Sequence, residues 1–168
     1  MKEYWKQLFN KYKKEIILGT SALVILLTFI WMIVESLGGG KFIFTNDSNY
    51  KIEYMEAVFV NDDWQVSDTI KFENIDSGKI DKKMFENFNL NNMEASLQLT
   101  IKFEGHSPFV LVAGYFNDLF TGNIKVNLNE NTKDEVDIKI KANNGIIPTR
   151  TIDCNEIYTI FVTGGYIE

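Results

Sequence analysis

Ala95-Ser96-Leu97-Gln98-Leu99-Thr100-Ile101-Lys102-Phe103-Glu104 alternates apolar and polar side chains without a break. Successive side chains of a strand point to opposite faces, so this run reads as a half-buried strand. Ala95, Leu97, Leu99, Ile101 and Phe103 would face a core. Val136, Ile138, Ile140 and Ala142 alternate with Asp137, Lys139 and Lys141 in the same way, and Ile124, Val126 and Leu128 make a shorter run.

Further strands follow in both directions. Tyr50, Ile52 and Tyr54 change phase before Ala57 and Phe59, which predicts a bulge near Met55-Glu56. Trp64 and Val66, then Ile70 and Phe72, mark another strand. Phe109–Phe116 is apolar but for the Tyr115 hydroxyl, so it reads as a central strand buried on both faces. Glu156–Thr163 makes the last strand. Between the runs lie clusters of turn formers, among them Asn46-Asp47-Ser48-Asn49, Asp76-Ser77-Gly78, Asn91-Asn92, Gly105-His106-Ser107-Pro108, Asn117-Asp118 and Asn129 to Asp134. Asn144-Gly145 carries the strongest hairpin signal. Eight or nine short strands without a convincing helix between them predict an all-β domain over 41–168. The expected form is a two-sheet β-sandwich, immunoglobulin-like or jelly-roll. The paired cysteines of a true immunoglobulin domain are absent, since the chain has one Cys.

The first 40 residues obey a different pattern. Ile16 to Val34 carries no charge and lies between Glu15 and Glu35. As a helix it would cover roughly 28 Å, about the thickness of a bilayer's hydrocarbon core. Trp31 near one end, and Tyr4, Trp5 and Tyr12 beyond the other, suit the interface. Residues 1–15 hold five Lys against two Glu, net +3, while the remainder holds 12 basic against 21 acidic side chains, net −9. Positive charge stays inside, so the N-terminus is expected in the cytoplasm and the residues after about 38 outside.

The expected organisation is a basic, aromatic segment over 1–15, a transmembrane signal-anchor helix over 16–37, a Gly hinge over 38–40 and the β domain. A cleaved signal peptide is the competing reading, with Ser36-Leu37-Gly38 as a loose cleavage site, but its apolar stretch would be shorter. Residues 4–14 can form an amphipathic helix or continue the anchor. No Cys follows the apolar run, so a lipid-modified Cys anchor is excluded. Asn, Ile, Lys and Phe, types with A/T-rich codons, are abundant and favour a low-GC bacterial envelope as the setting.

Composition narrows the chemistry. The chain has 168 residues and a net charge of −6, which argues against nucleic acid as a partner. One His and one Cys rule out paired-His and four-Cys metal sites. His106 reads as a turn residue and Cys154 as a small buried thiol. Asp62, Asp63, Asn127, Asn129, Asn131 and Asp134 have oxygen ligands, but Thr132 and Ile138 break the calcium-loop pattern, so they read as solvated turns. Asn46-Asp47-Ser48 matches a glycosylation acceptor. No catalytic constellation, metal or cofactor is expected, and the chain reads as non-enzymatic.

One pattern occurs twice: Phe59, Asn61, Asp62, Trp64, and then Phe116, Asn117, Asp118, Phe120 with Leu119. Aromatic faces beside amides and carboxylates can hold a sugar ring or a peptide strand. The competing reading puts these rings in the core at strand ends. The functional expectation is a non-enzymatic protein-interaction or envelope-structure module, with the bilayer and a membrane or envelope protein as partners. The alternative is a surface-displayed domain for carbohydrate or peptide.

Overall fold

The computed structural model describes residues 11–37, 40–62, 64–85, 88–120, 122–132, 134–143, 152–163 and 165–166. The chain divides into two compact units, Met1–Gly38 and Gly39–Glu168. It is mostly β, in two sheets, with one N-terminal apolar helix.

That helix, α1, spans Lys13–Leu37. Its section Lys13–Ile33 is 21 residues long and apolar enough to cross a membrane. Described side chains from Lys11 to Ile33 are all exposed, so no protein core accounts for their apolarity. The Thr20 hydroxyl donates back to the carbonyls of Ile16 (2.8 Å) and Ile17 (3.0 Å), and Thr28 to those of Val24 (3.0 Å) and Ile25 (2.8 Å). Such bonds satisfy a hydroxyl within an apolar helix. Of the segment 4–14, residues 4–10 lie outside the described residues.

The second unit is sandwich-like. Its strands are β1 (Gly40–Asp47), β2 (Ile52–Asn61), β3 (Trp64–Gln65), β4 (Ile70–Ile75), β5 (Lys79–Phe85) and β6 (Phe88–Phe103), followed by β7 (Phe109–Phe120), β8 (Asn123–Thr132), β9 (Glu135–Asn143), β10 (Ile152–Asp153), β11 (Asn155–Phe161) and β12 (Gly165–Tyr166). The first sheet runs β12-β11-β9-β8-β1-β5 and the second β10-β7-β6-β2-β3, with β4 also pairing β2. β1 and β8 pair in parallel, Phe42 opposite Ile124 and Phe44 opposite Val126.

The inward residues follow the period-two reading. Phe42 and Phe44, Ile124 to Leu128 at alternate positions, and Val136, Ile138 and Ile140 are buried from the first sheet. Leu97, Leu99, Ile101 and Phe103 meet them from the second. The Phe72 ring lies 5.6 Å from Phe42 and 5.9 Å from Phe44, joining the layers.

Several expectations need correction. The β2 irregularity falls between Ile52 and Tyr54, so Ile52 and Met55 both turn inward and the bulge precedes the expected place. A similar three-residue step brings Phe72 and Ile75 inward, with Asn74 between them at φ 54°. Asn91-Asn92 and Asn117-Asp118 are not turns; they lie within β6 and β7. Likewise β8 continues to Thr132, through most of the expected Asn129–Asp134 turn. Ladder pairing overrides the turn tendency at Asn117 and Asn129, whereas Asn91, Asn92 and Asp118 fall where the β6–β7 register shifts between Asn89 and Glu94.

β7 is not buried on both faces. Leu111, Ala113 and Phe116 are inside, whereas Val110, Val112 and Tyr115 are exposed, because nothing covers the outer face of the second sheet among the described residues. β5 has no clear alternating signal. It is an edge strand whose outer face carries Ile80, Lys82 and Met84, while Lys83 on the other side lies 5.4 Å over the Phe72 ring. The Asn144-Gly145 hairpin signal lies outside the described residues.

Asn46 is fully buried. Its Nδ2 donates to the carbonyls of Tyr50 (2.8 Å) and Ile75 (3.2 Å), and its Oδ1 accepts from the Ser48 backbone N–H (3.2 Å) and hydroxyl (2.6 Å). An amide so occupied cannot accept a glycan, which removes the acceptor reading.

Cys154 is where the chain passes from β10 in the second sheet to β11 in the first. Gly114 faces it at φ 68° and donates its N–H to Glu156 Oε1 at 2.9 Å. The Tyr158 hydroxyl lies between the Val112 carbonyl (3.0 Å) and Glu156 Oε2. These side chains bridge the edge of β7 to β11, closing the sandwich on that side.

Candidate surface for a partner

The two aromatic patterns come together in space. Their three Phe rings pack on one another: Phe59 to Phe116 at 4.8 Å and Phe116 to Phe120 at 5.3 Å, both edge-on, and Phe59 to Phe120 at 5.9 Å. Phe120 stacks on Phe85 of β5 at 5.7 Å. Phe59, Phe116 and Phe120 are each at most 1% exposed. They are core rings and cannot touch a ligand directly, which corrects their place in the candidate surface. Their geometry is that of favourable edge-to-face aromatic pairs.

The polar members sit outside this cluster, at the end of the sandwich where Gly40 opens β1. Asn61 Nδ2 donates to the Glu94 carbonyl. The Tyr115 hydroxyl donates to Glu94 Oε1 at 3.0 Å, and Asn117 Nδ2 donates to the Tyr115 oxygen at 3.3 Å. The Glu94 hydrogen bond, followed by burial, raises the Tyr115 hydroxyl above its ordinary pKa. Asn117 Oδ1 is buried and accepts no hydrogen bond among the described residues.

Trp64 stands opposite Asn61 in the short β2–β3 hairpin and is 78% exposed. Asp62 is exposed at the tip, at φ 48°. Asp63 lies outside the described residues. Of Asp118 and Leu119 only the backbone, within β7, is described.

Sequence reasoning missed the surface beside this network. Val112 of β7 is opposite Gln98 of β6, which is opposite Val58 of β2; Val110, Thr100 and Glu56 form the next row. Val110 and Val112 are 43% and 51% exposed, and Val58 and Val60 are half-buried. With Tyr115 they give the second sheet an apolar outer surface; Trp64, opposite Asn61, lies on the side of the sheet that carries Phe59. The apolar run Phe109–Phe116 was itself the signal, read as burial rather than as exposure.

The histidine and the cysteine stand at opposite ends of the sandwich. His106 follows the end of β6, its ring edge-on to Tyr50 at 6.2 Å. Cys154 lies beside the end of β9, its carbonyl accepting from Ala142 N–H at 3.0 Å. Burial, and then the Glu156 charge, push the Cys154 thiol up to about 12, so it holds its proton at neutral pH. Among the described residues no three His, Cys, Asp or Glu side chains are grouped as metal ligands. No family model, curated protein or solved structure matches this chain.

Proposed function

We propose that the chain is a single-pass plasma-membrane protein, N-terminus in the cytoplasm, whose β unit is a non-enzymatic interaction module outside the cell. The length and apolarity of α1, with the basic residues before it and the acidic excess after it, support the anchor and its orientation. The partner surface we assign is the outer face of the second sheet. The exposed apolar side chains of Val110, Val112 and Tyr115 on β7, with Val58 and Val60 two strands away on the same face, carry this reading. Exposed aromatic and branched side chains, rimmed by amides and carboxylates, are the makings of a protein-binding hot spot.

The test is photocrosslinking of the intact chain in its own membrane, with the crosslinker at Val112 or at Gln98 opposite it. A discrete protein adduct is expected, lost in a Val112→Lys variant carrying the crosslinker at position 98. Adducts no more discrete than those from a crosslinker at Asn129, on the other sheet, would refute the assignment. A second reading, a carbohydrate or peptide site, draws on exposed Trp64 beside Asn61 and Asp62. It predicts a glycan- or peptide-array signal that Trp64→Ala abolishes. Orientation is tested by protease on intact cells, which should remove the β unit and spare a tag at Met1.

A further inference from the structure

Among the described residues three lysines have carboxylate partners: Lys51 with Glu104, Lys71 with Glu56 and Glu73, and Lys102 with Glu53. Five others gather on the outer face of the first sheet. Lys82, Ile43, Lys125 and Lys141 follow one another across β5, β1, β8 and β9, each opposite the next. Lys41 stands one row nearer the Gly40 end, and Lys139 one row further from it. All five lysines are exposed, and among the described residues none has a carboxylate within 4.0 Å.

Like charges directly opposite one another on a sheet repel. In a chain of net charge −6, counter-charges were not scarce, yet none stands in the rows of Lys41, Lys82, Lys125 and Lys141. The acids of this face, Asp47, Glu135 and Asp137, lie further along the strands, beginning one row beyond Lys139. Exposed aliphatic side chains lie among the lysines: Ile80 and Met84 on β5 and Ile157 on β11. Lysines interspersed with aliphatics on a flat face suit a lipid headgroup layer. The basic end is also where the chain arrives from α1. Leu37 ends the helix and Gly40 opens β1, a reach of at most about 11 Å for three residues.

We propose that the outer face of the first sheet, at its Gly40 end, docks on the anionic headgroups of the bilayer that holds the anchor. This rests on the anchor reading above. Each lysine near an anionic surface is worth about fivefold in affinity, so three together are worth on the order of a hundredfold.

The experiment reconstitutes the full chain in phosphatidylcholine vesicles, with or without phosphatidylglycerol, and maps lysine acetylation by mass spectrometry. Labelling of Lys41, Lys82, Lys125 and Lys141 should fall several-fold with phosphatidylglycerol and recover in high salt, while Lys51 and Lys71 do not change. Equal labelling in both vesicle types overturns the proposal. So does equal protection by soluble polyphosphate over neutral vesicles, which would make a free polyanion the ligand. Protection in neutral vesicles that grows with protein density overturns it too, in favour of a second copy. Flotation separates the anchor from the face. A chain that fails to float with neutral vesicles defeats the anchor alone. Flotation with anionic vesicles, lost in K82Q/K125Q/K141Q, would still support the face, and flotation with neither would overturn both.

Discussion

Gly114→Ala should destabilise the β unit far more than a glycine substitution of the same backbone strain elsewhere. Gly114 has φ 68°, where an L side chain costs roughly 1–2 kcal/mol. A Cβ there would also stand 2.6 Å from Cys154 Cβ and 2.7 Å from its Sγ, closer than real contacts allow. Neither atom is the far end of a flexible chain, and Cys154 is held where the chain passes between sheets. Overpacking of this kind adds about 1–3 kcal/mol. The total, roughly 2–5 kcal/mol, is a large part of the ~5–15 kcal/mol net stability of an ordinary domain. Gly78 supplies the control: its φ is 73°, and nothing lies within 4 Å of a Cβ built on it. Gly78→Ala should therefore cost only the backbone strain, roughly 1–2 kcal/mol. Urea unfolding of residues 39–168, followed by far-UV circular dichroism, gives both values. Equal losses for the two variants would refute the close packing of Gly114 on Cys154.

The same assay separates core from surface within the repeated pattern. Phe59→Ala should cost about 3–5 kcal/mol, because it empties a fully buried ring site. Trp64→Ala should stay within about 0.5 kcal/mol, because the ring is 78% exposed. Asn46→Ala should cost about 1–3 kcal/mol, since it strands the groups that the amide serves in a buried turn. Stability should also fall in alkali. The Cys154 pKa rises from 9.0 to about 12 on folding, so its contribution is full below pH 9.0 and is lost as pH climbs towards 12. Tyr158 shifts in the same direction, through burial and then its Glu156 hydrogen bond. Cys154→Ala should flatten the decline between pH 9.0 and 12. At neutral pH the native thiol should resist iodoacetamide and react once urea unfolds the chain.

Period-two alternation found part of the core. Leu97 to Phe103 and Val136 to Ile140 are buried at every second position because a pleated strand can show a core only alternate side chains. The helix was legible for a similar reason: an uncharged run between Glu15 and Glu35 has few other soluble solutions. Neighbours were not legible. Alternation tells which residues share a face of one strand, but pairing is chosen by contacts between distant segments. So the parallel β1–β8 pair, the edge strand β5 and the exposed side of β7 came from the tertiary structure alone. The candidate surfaces depended on it as well. Two similar patterns in the sequence did not reveal that three of their rings meet inside while Asp62 and Trp64 stay exposed. Nor did Lys41, Lys82, Lys125 and Lys141, one or two to a strand and far apart in the chain, look like one charged face. Each was an ordinary outward residue of its own strand. Only the register, which sets strands side by side with their lysines level, turns separate charges into a surface.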